Sequence, residues 1–254
     1  MTLTGFTYTP PPPENTAAWF GGGFTGSPVS TVARITYATD TATASVRGPL
    51  SSVRFSLAAA GNSTDGWFGG GQPGAQSTVD RITYATDTAT ASVRGPLSAV
   101  RYYLAAAGNT TDGWFGGGSP GPRSTVDRIT YATDTNTASV RGPLSAVRYY
   151  LAAAGNTTDG WFGGGYGGGG DRSTVDRITY ATDTATASVR GPLSLARYQL
   201  AAAGNSTDGW FGGGSPGPVS TVDRITYATD TATASVRGPL SSARYNLAAA
   251  GGVQ

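Results

Sequence analysis

Residues 114–118 read W-F-G-G-G, and residues 124–135 read S-T-V-D-R-I-T-Y-A-T-D-T. The pentapeptide begins at Trp19, Trp67, Trp114, Trp161 and Trp210, at spacings of 48, 47, 47 and 49 residues. A fixed period of this length marks a tandem-repeat protein, in which each unit buries its apolar surface against the next. The second stretch returns with the same period, followed by A-S-V-R-G-P-L, an arginine, a variable pair and L-A-A-A-G. Thr, Val, Tyr and Gly dominate the unit, and no apolar stripe at i, i+3, i+4 runs through it. The units therefore read as short strands rather than helices.

Four strands fit in each unit. Lettered in order, a spans Leu104 to Gly108, b Trp114 to Gly118, c Val126 to Ala132 and d Thr135 to Arg141. The a–b connection G-N-T-T-D-G carries residues that tolerate turn backbone, and A-T-D-T reads as a tight c–d turn. In strand d, Ala42, Ala44 and Val46 alternate with Thr41, Thr43 and Ser45, the pattern of a half-buried strand. Gly142-Pro143 ends pairing, because proline has no N–H to give. Four short strands bury too little surface to stand alone, and radial packing of such sheets makes a β-propeller. The expected fold is all-β, a five-bladed propeller of four-stranded antiparallel blades. The fifth copy of strand a, Leu247 to Gly251, is expected to complete the first blade beside the Trp19 strand and close the ring. The division is an N-terminal arm, residues 1–17, stiffened by Pro10 to Pro13, and a propeller over 18–254.

Composition narrows the function classes. The 39 glycines and 15 prolines among 254 residues show no three-residue period, which excludes a collagen helix. All 17 basic residues are Arg, and 14 of the 15 acidic residues are Asp, beside Glu14. A net charge of +2 gives no field that would gather nucleic acid or an anionic membrane. No apolar window reaches the length of a membrane span, and MTLTGFTYTP carries no secretory signature. The chain has no His and no Cys, which removes the commonest general base, the thiolate nucleophile and the usual metal ligands. No cofactor and no metal are expected.

The run Val126-Asp127-Arg128-Ile129, the turn at Asp134, Arg141-Gly142-Pro143-Leu144, Arg148 and the glycine-rich aromatic strand together resemble the kelch repeat. That resemblance spans residues 18 to 252 and implies a β-propeller. The family's last-strand tryptophan is replaced here by Ala and Thr, and its tyrosine by Ile35, Ile82, Ile129, Ile178 and Ile225. Five units stand where kelch rings usually have six or seven. The phrase G-N-S-T-D-G-W-F-G-G-G is also similar to repeats in uncharacterised structural and tail-associated proteins of marine bacteriophages, which implies a virion location and no particular activity.

Almost every polar residue recurs four or five times, whereas catalysis needs one asymmetric constellation. Asp65, Asp112, Asp159 and Asp208 read as turn residues. Asp80, Asp127, Asp176 and Asp223 read as surface or inter-blade partners of the arginines beside them. Trp19, Trp67, Trp114, Trp161 and Trp210 could stack sugar rings in five equivalent pockets, though a packing wedge between blades is the favoured reading. Variation between copies points elsewhere. The pair after the unit arginine reads Phe55-Ser56, Tyr102-Tyr103, Tyr149-Tyr150, Tyr198-Gln199 and Tyr245-Asn246, with the first position suited to burial and the second free to vary. Tyr103 and Tyr150, with Tyr166, Asp171 and Arg172 in the b–c loop of the fourth blade, are the candidate single-copy contacts. The expected function is a monomeric, non-catalytic structural or adhesive module of a phage virion, with a host-surface glycan or another virion protein as partner. A lectin with five equivalent sites and an engineered symmetric scaffold are the alternatives.

Overall fold

The computed structural model describes residues 16–249 except residue 122. It is an all-β propeller with five blades. The first blade contains β1 (Ala17–Phe24), β2 (Pro28–Thr36) and β3 (Ser45–Arg47). The second contains β4 (Ala58–Gly61), β5 (Asp65–Gly69), β6 (Val79–Thr83) and β7 (Ser92–Arg94). The third contains β8 (Ala105–Gly108), β9 (Asp112–Gly116), β10 (Val126–Thr130) and β11 (Ser139–Arg141). The fourth is built from β12 (Ala152–Gly155), β13 (Asp159–Gly163), β16 (Val175–Thr179) and β17 (Ser188–Arg190), with a small hairpin, β14 (Tyr166–Gly167) and β15 (Gly170–Asp171), between its second and third strands. The fifth contains β18 (Ala201–Gly204), β19 (Asp208–Gly212), β20 (Val222–Thr226) and β21 (Ser235–Arg237).

Each blade is a meander of antiparallel strands in sequence order, and the innermost strands β4, β8, β12 and β18 stand side by side around a central channel. The first sheet has three strands among the described residues. The segment expected to supply its fourth strand runs past Ala249, outside the described residues. Its first three residues, Leu247, Ala248 and Ala249, line the same channel cavity as Ala17 to Gly22.

The blade strands differ from the sequence reading in two places. Strand c stops at Thr130, and Tyr131–Thr133 form a single 3-10 turn rather than the end of a tight hairpin. Strand d shrinks to Ser139–Arg141, and its valine points outward, with Val140 60% exposed. The reason is the junction with the preceding blade. Leaving the ladder lets Tyr131 lay its ring on Trp67, centroids 3.8 Å apart and planes within 7°, while Asp134 reaches the same indole. Ala138, which the expected alternation also placed inside, is buried, and its N–H donates to the Pro96 carbonyl of the previous blade.

Trp and Phe, adjacent in strand b, point to opposite faces as successive strand residues must. Trp114 packs forward onto Tyr180 of the next blade, and the space above Gly69 of the previous blade is filled by Phe115. A Cβ at Gly69 would meet the Phe115 ring at 3.0 Å, so this position admits little beyond glycine. Full burial of an indole or phenyl stabilises by roughly 2–3 kcal/mol each, and the wedge packs against Val, Ile, Leu and Ala in each inter-blade cluster.

Two charge networks hold the blades, and only one lies where the sequence suggested. Asp80, Asp127, Asp176 and Asp223 do not pair with the arginines next to them in sequence. They are fully buried and receive Arg54, Arg101, Arg148 and Arg197, the unit arginines that precede the innermost strands of the same blades. Arg101 Nη1 donates to the Gly117 and Thr125 carbonyls, and Asp127 also accepts the Ser98 amide at 2.8 Å. Burial pulls the Arg101 guanidinium below its ordinary pKa, and the Asp127 charge opposes that shift. The neighbouring Arg81 and Arg128 cross the blade junctions instead, to Asp134 and Asp183. Asp112 behaves as expected of a turn residue: Asn109 Oδ1 accepts the Thr111 and Asp112 amides, and Asp112 accepts the Thr130 hydroxyl at 2.6 Å.

Candidate functional site at the channel mouth

The variable residue after each unit aromatic occupies one structural position. Ser56, Tyr103, Tyr150, Gln199 and Asn246 all have left-handed backbone, with φ between 55° and 59°. Non-glycine residues rarely adopt this conformation, and strain of that kind persists only where the surroundings impose it. Here the surroundings are the neighbouring blades. The Tyr103 amide donates to the Ser56 carbonyl, Tyr150 to Tyr103, Gln199 to Tyr150, and Asn246 to Gln199, each at 2.9–3.0 Å. One chain of backbone hydrogen bonds thus passes from blade to blade around one end of the channel. The five side chains line a cavity of about 760 Å³ together with Phe24, Phe55, Gln72, Leu57, Leu104, Leu151, Leu200 and Leu247.

One side of this mouth is aromatic. The Tyr103 and Tyr150 rings lie 3.8 Å apart, Tyr102 meets Tyr103 edge-on at 4.8 Å, and Tyr149 sits 5.0 Å from Tyr150. Tyr166 extends the cluster, 5.7 Å from Tyr149 and 5.8 Å from Tyr198. The β14–β15 hairpin holds it there, because Tyr166 and Tyr149 exchange both backbone hydrogen bonds. Burial, then the hydrogen bond with Tyr103, pushes the Tyr150 phenol above its ordinary value, so it stays a neutral donor and acceptor at physiological pH. The other side of the mouth is polar, with Ser56, Gln72, Gln199 and Asn246.

The structure brings together three of the candidate residues, Tyr103, Tyr150 and Tyr166, and separates the rest. Arg172 donates its Nε to the Gly167 carbonyl and its amide to Gly165, so it braces the hairpin rather than the cavity. Asp171 is the register partner of Tyr166 on the hairpin's second strand. Trp67, Trp114 and Trp161 are each 1% exposed between blades, which removes them as sugar platforms and leaves the wedge reading. Trp210 is half-buried. The aromatic first position of the variable pair is not buried as expected: Tyr102, Tyr149 and Tyr198 are half-buried and Tyr245 is exposed. Tyr102 and Tyr149 pack against Tyr103 and Tyr150, and Tyr198 against Tyr150 and Tyr166, instead of entering the core. Sequence reasoning missed Ser56, Gln199 and Asn246, although their variation was the signal that also marked Tyr103 and Tyr150.

Among the described residues no group of three or more carboxylates stands together as a metal site, and no helix is long and apolar enough to cross a membrane. The mouth offers stacking faces, amides and hydroxyls. A channel ringed by repeated four-stranded sheets, with variable residues at one end, defines a five-bladed β-propeller with a ligand-sized mouth. Among solved structures, that of YjhT is similar to it at a TM-score of 0.76 and 10% identity, over 93% of this chain and 84% of that one. No protein-family model and no curated protein sequence matches the chain.

Proposed function

We propose that this protein is a non-catalytic adhesive propeller that takes a single ligand, a host-surface glycan, at the channel mouth. The observation that carries the reading is the coincidence of variation, strained backbone and cavity at Ser56, Tyr103, Tyr150, Gln199 and Asn246. Where almost every other polar residue repeats, these positions make the mouth asymmetric, with tyrosine faces on one side and amides on the other. Saccharide rings present an apolar face to an aromatic platform and hydroxyls to amides, so both sides find partners. The likeness of the repeats to tail-associated proteins of marine bacteriophages supports a virion-borne role. Burial of the tryptophans disfavours five equivalent sites.

The test is a glycan array, including bacterial surface polysaccharides, read with the intact protein and with a Tyr103→Ser, Tyr150→Ser double variant. Serine already occupies this position at Ser56, so the substitution suits the backbone. Saturable binding that falls at least tenfold in the variant, with the melting temperature kept, is the expected result. Binding unchanged by the double variant, or no glycan bound at all, overturns the proposal.

A further inference from the structure

At four junctions between successive blades the same contacts recur. The turn carboxylate of the following blade accepts the indole N–H of the preceding one: Trp19 to Asp87, Trp67 to Asp134, Trp114 to Asp183 and Trp161 to Asp230, at 2.8–2.9 Å. Two arginines of the preceding blade converge on the same oxygen, as Arg81 and Arg94 do on Asp134. A tyrosine stacks on the indole, and a phenylalanine covers a glycine.

From the fifth blade to the first, none of this is made among the described residues. Trp210 has no carboxylate acceptor, and Arg237, on the outermost strand, is exposed. On the opposite face Asp40 is exposed, Tyr37 is 44% exposed and Phe20 is 37% exposed. A Cβ at Gly212 would meet no phenylalanine, and one at Gly238 would meet nothing within 4 Å. The fifth blade therefore offers an indole donor and cations, and the first blade offers a carboxylate and two rings. These are the two halves of one interface.

Direct contact between the halves would satisfy most of them, but one residue argues against it. Leu247 packs on Gly213 as Leu57 packs on Gly22, so Leu247 begins the innermost strand of whichever blade comes next. In every other blade the arginine before that strand is buried on an aspartate of strand c. The register equivalent in the first blade is Ala33, which stands opposite Phe20 as Asp80 stands opposite Phe68. Arg244 would then be buried without a counter-ion, whereas it is exposed here.

We propose that the face between the fifth and first blades is a docking site for one further blade of this same repeat, supplied by a partner chain. Strands b, c and d of that blade would add to the Leu247 strand. Its c-strand aspartate would take Arg244, its turn aspartate would take Trp210, Arg224 and Arg237, and its own tryptophan and arginines would take Asp40. This surface is distinct from the channel mouth and does not depend on what the mouth binds.

Two variants of the full chain test it. In the first, a copy of residues 205–243 is inserted after Gly251, so that strands b, c and d of a sixth unit are present in cis. The expected result is a monomer that melts several degrees higher than the five-unit chain, with Trp210 newly protected from acrylamide quenching. The same insert carrying Asn in place of its copies of Asp223 and Asp230 should lose that gain. The second variant is Ala33→Asp in the five-unit chain. It should give no rise in melting temperature, since Arg244 lies outside the first blade. A sixth unit that adds no stability, or an Ala33→Asp variant that is stabilised, overturns the proposal in favour of a ring closed on five blades.

Discussion

Asp134 accepts the indole N–H of Trp67 at 2.9 Å from a blade that begins more than forty residues earlier, and the same oxygen holds Arg81 at 3.1 Å and Arg94 at 3.4 Å. One carboxylate thus joins three donors of the neighbouring sheet. Its cost of desolvation is met only while those donors are in place, which makes each junction an all-or-none unit. Asp134→Asn keeps the shape but removes the charge from both arginines. We expect a loss of roughly 2 kcal/mol, in line with hydrogen bonds to charged groups, read from urea unfolding midpoints. Asp40→Asn should change stability by less than about 0.5 kcal/mol in the isolated five-unit chain, as surface substitutions do. Equal losses at the two positions would mean that Asp40 already sits in a formed junction.

Glycine supplies the second half of the junction. The Gly95 amide donates to the Asp134 carbonyl of the next blade at 2.8 Å, and a Cβ there would overlap the Asn136 carbonyl. Because the obstacle is backbone, the blades must part to admit a methyl group. Gly95→Ala should cost roughly 1 to 3 kcal/mol, the range of overpacked cores. Gly238→Ala meets nothing and should stay within about 0.5 kcal/mol of the parent. Calorimetric melting of the two variants side by side checks the contrast.

The tryptophans grade in the same direction. Trp114 is buried, stacked at 3.8 Å on Tyr180 and hydrogen-bonded to Asp183. Trp114→Ala should cost roughly 3 to 5 kcal/mol, as large aromatic truncations do. Trp210→Ala, half-buried and without that acceptor, should cost less than half as much. Guanidinium unfolding with an unchanged m-value would report both; a Trp114 variant as stable as the parent would return that ring to the surface and revive the multivalent sugar reading.

The blade was legible because its determinants are local. The Trp-Phe pair, the Asn109–Asp112 turn and the Gly-Pro stop act through near neighbours, and a period of 47 residues repeats the signal. What escaped is what reaches between units. Nothing near Asp127 in sequence names Arg101 as its partner rather than Arg128, because the pairing depends on which strand is innermost. The aspartate of A-T-D-T looked like turn chemistry, yet Asp134 spends its carboxylate on the previous blade. Likewise Ser56, Tyr103, Tyr150, Gln199 and Asn246 form a ring only after the blades are arranged radially. Their variation was visible; their shared φ and common cavity were not.

The buried phenols make the last prediction one of pH. Burial pushes the Tyr131 and Tyr180 hydroxyls well above their ordinary value near 10, with neighbouring tyrosines and aspartates adding to the effect. A phenol whose folded pKa is raised contributes stability in full below its unfolded value and loses it as pH rises toward the folded one. Between those limits the unfolded chain has shed a proton that the folded chain keeps. Each such tyrosine then removes roughly 1.4 kcal/mol of stability per pH unit. Burial raises Tyr84 and Tyr227 in the same way, so stability should hold steady from pH 7 to 9 and fall steeply above pH 10. Urea midpoints at pH 8, 9, 10 and 11, with tyrosinate absorbance followed in parallel, would show ionisation arriving together with unfolding. Smooth titration of every tyrosine near pH 10 in the folded protein would instead mean that the stacked Trp–Tyr pairs stand open to water.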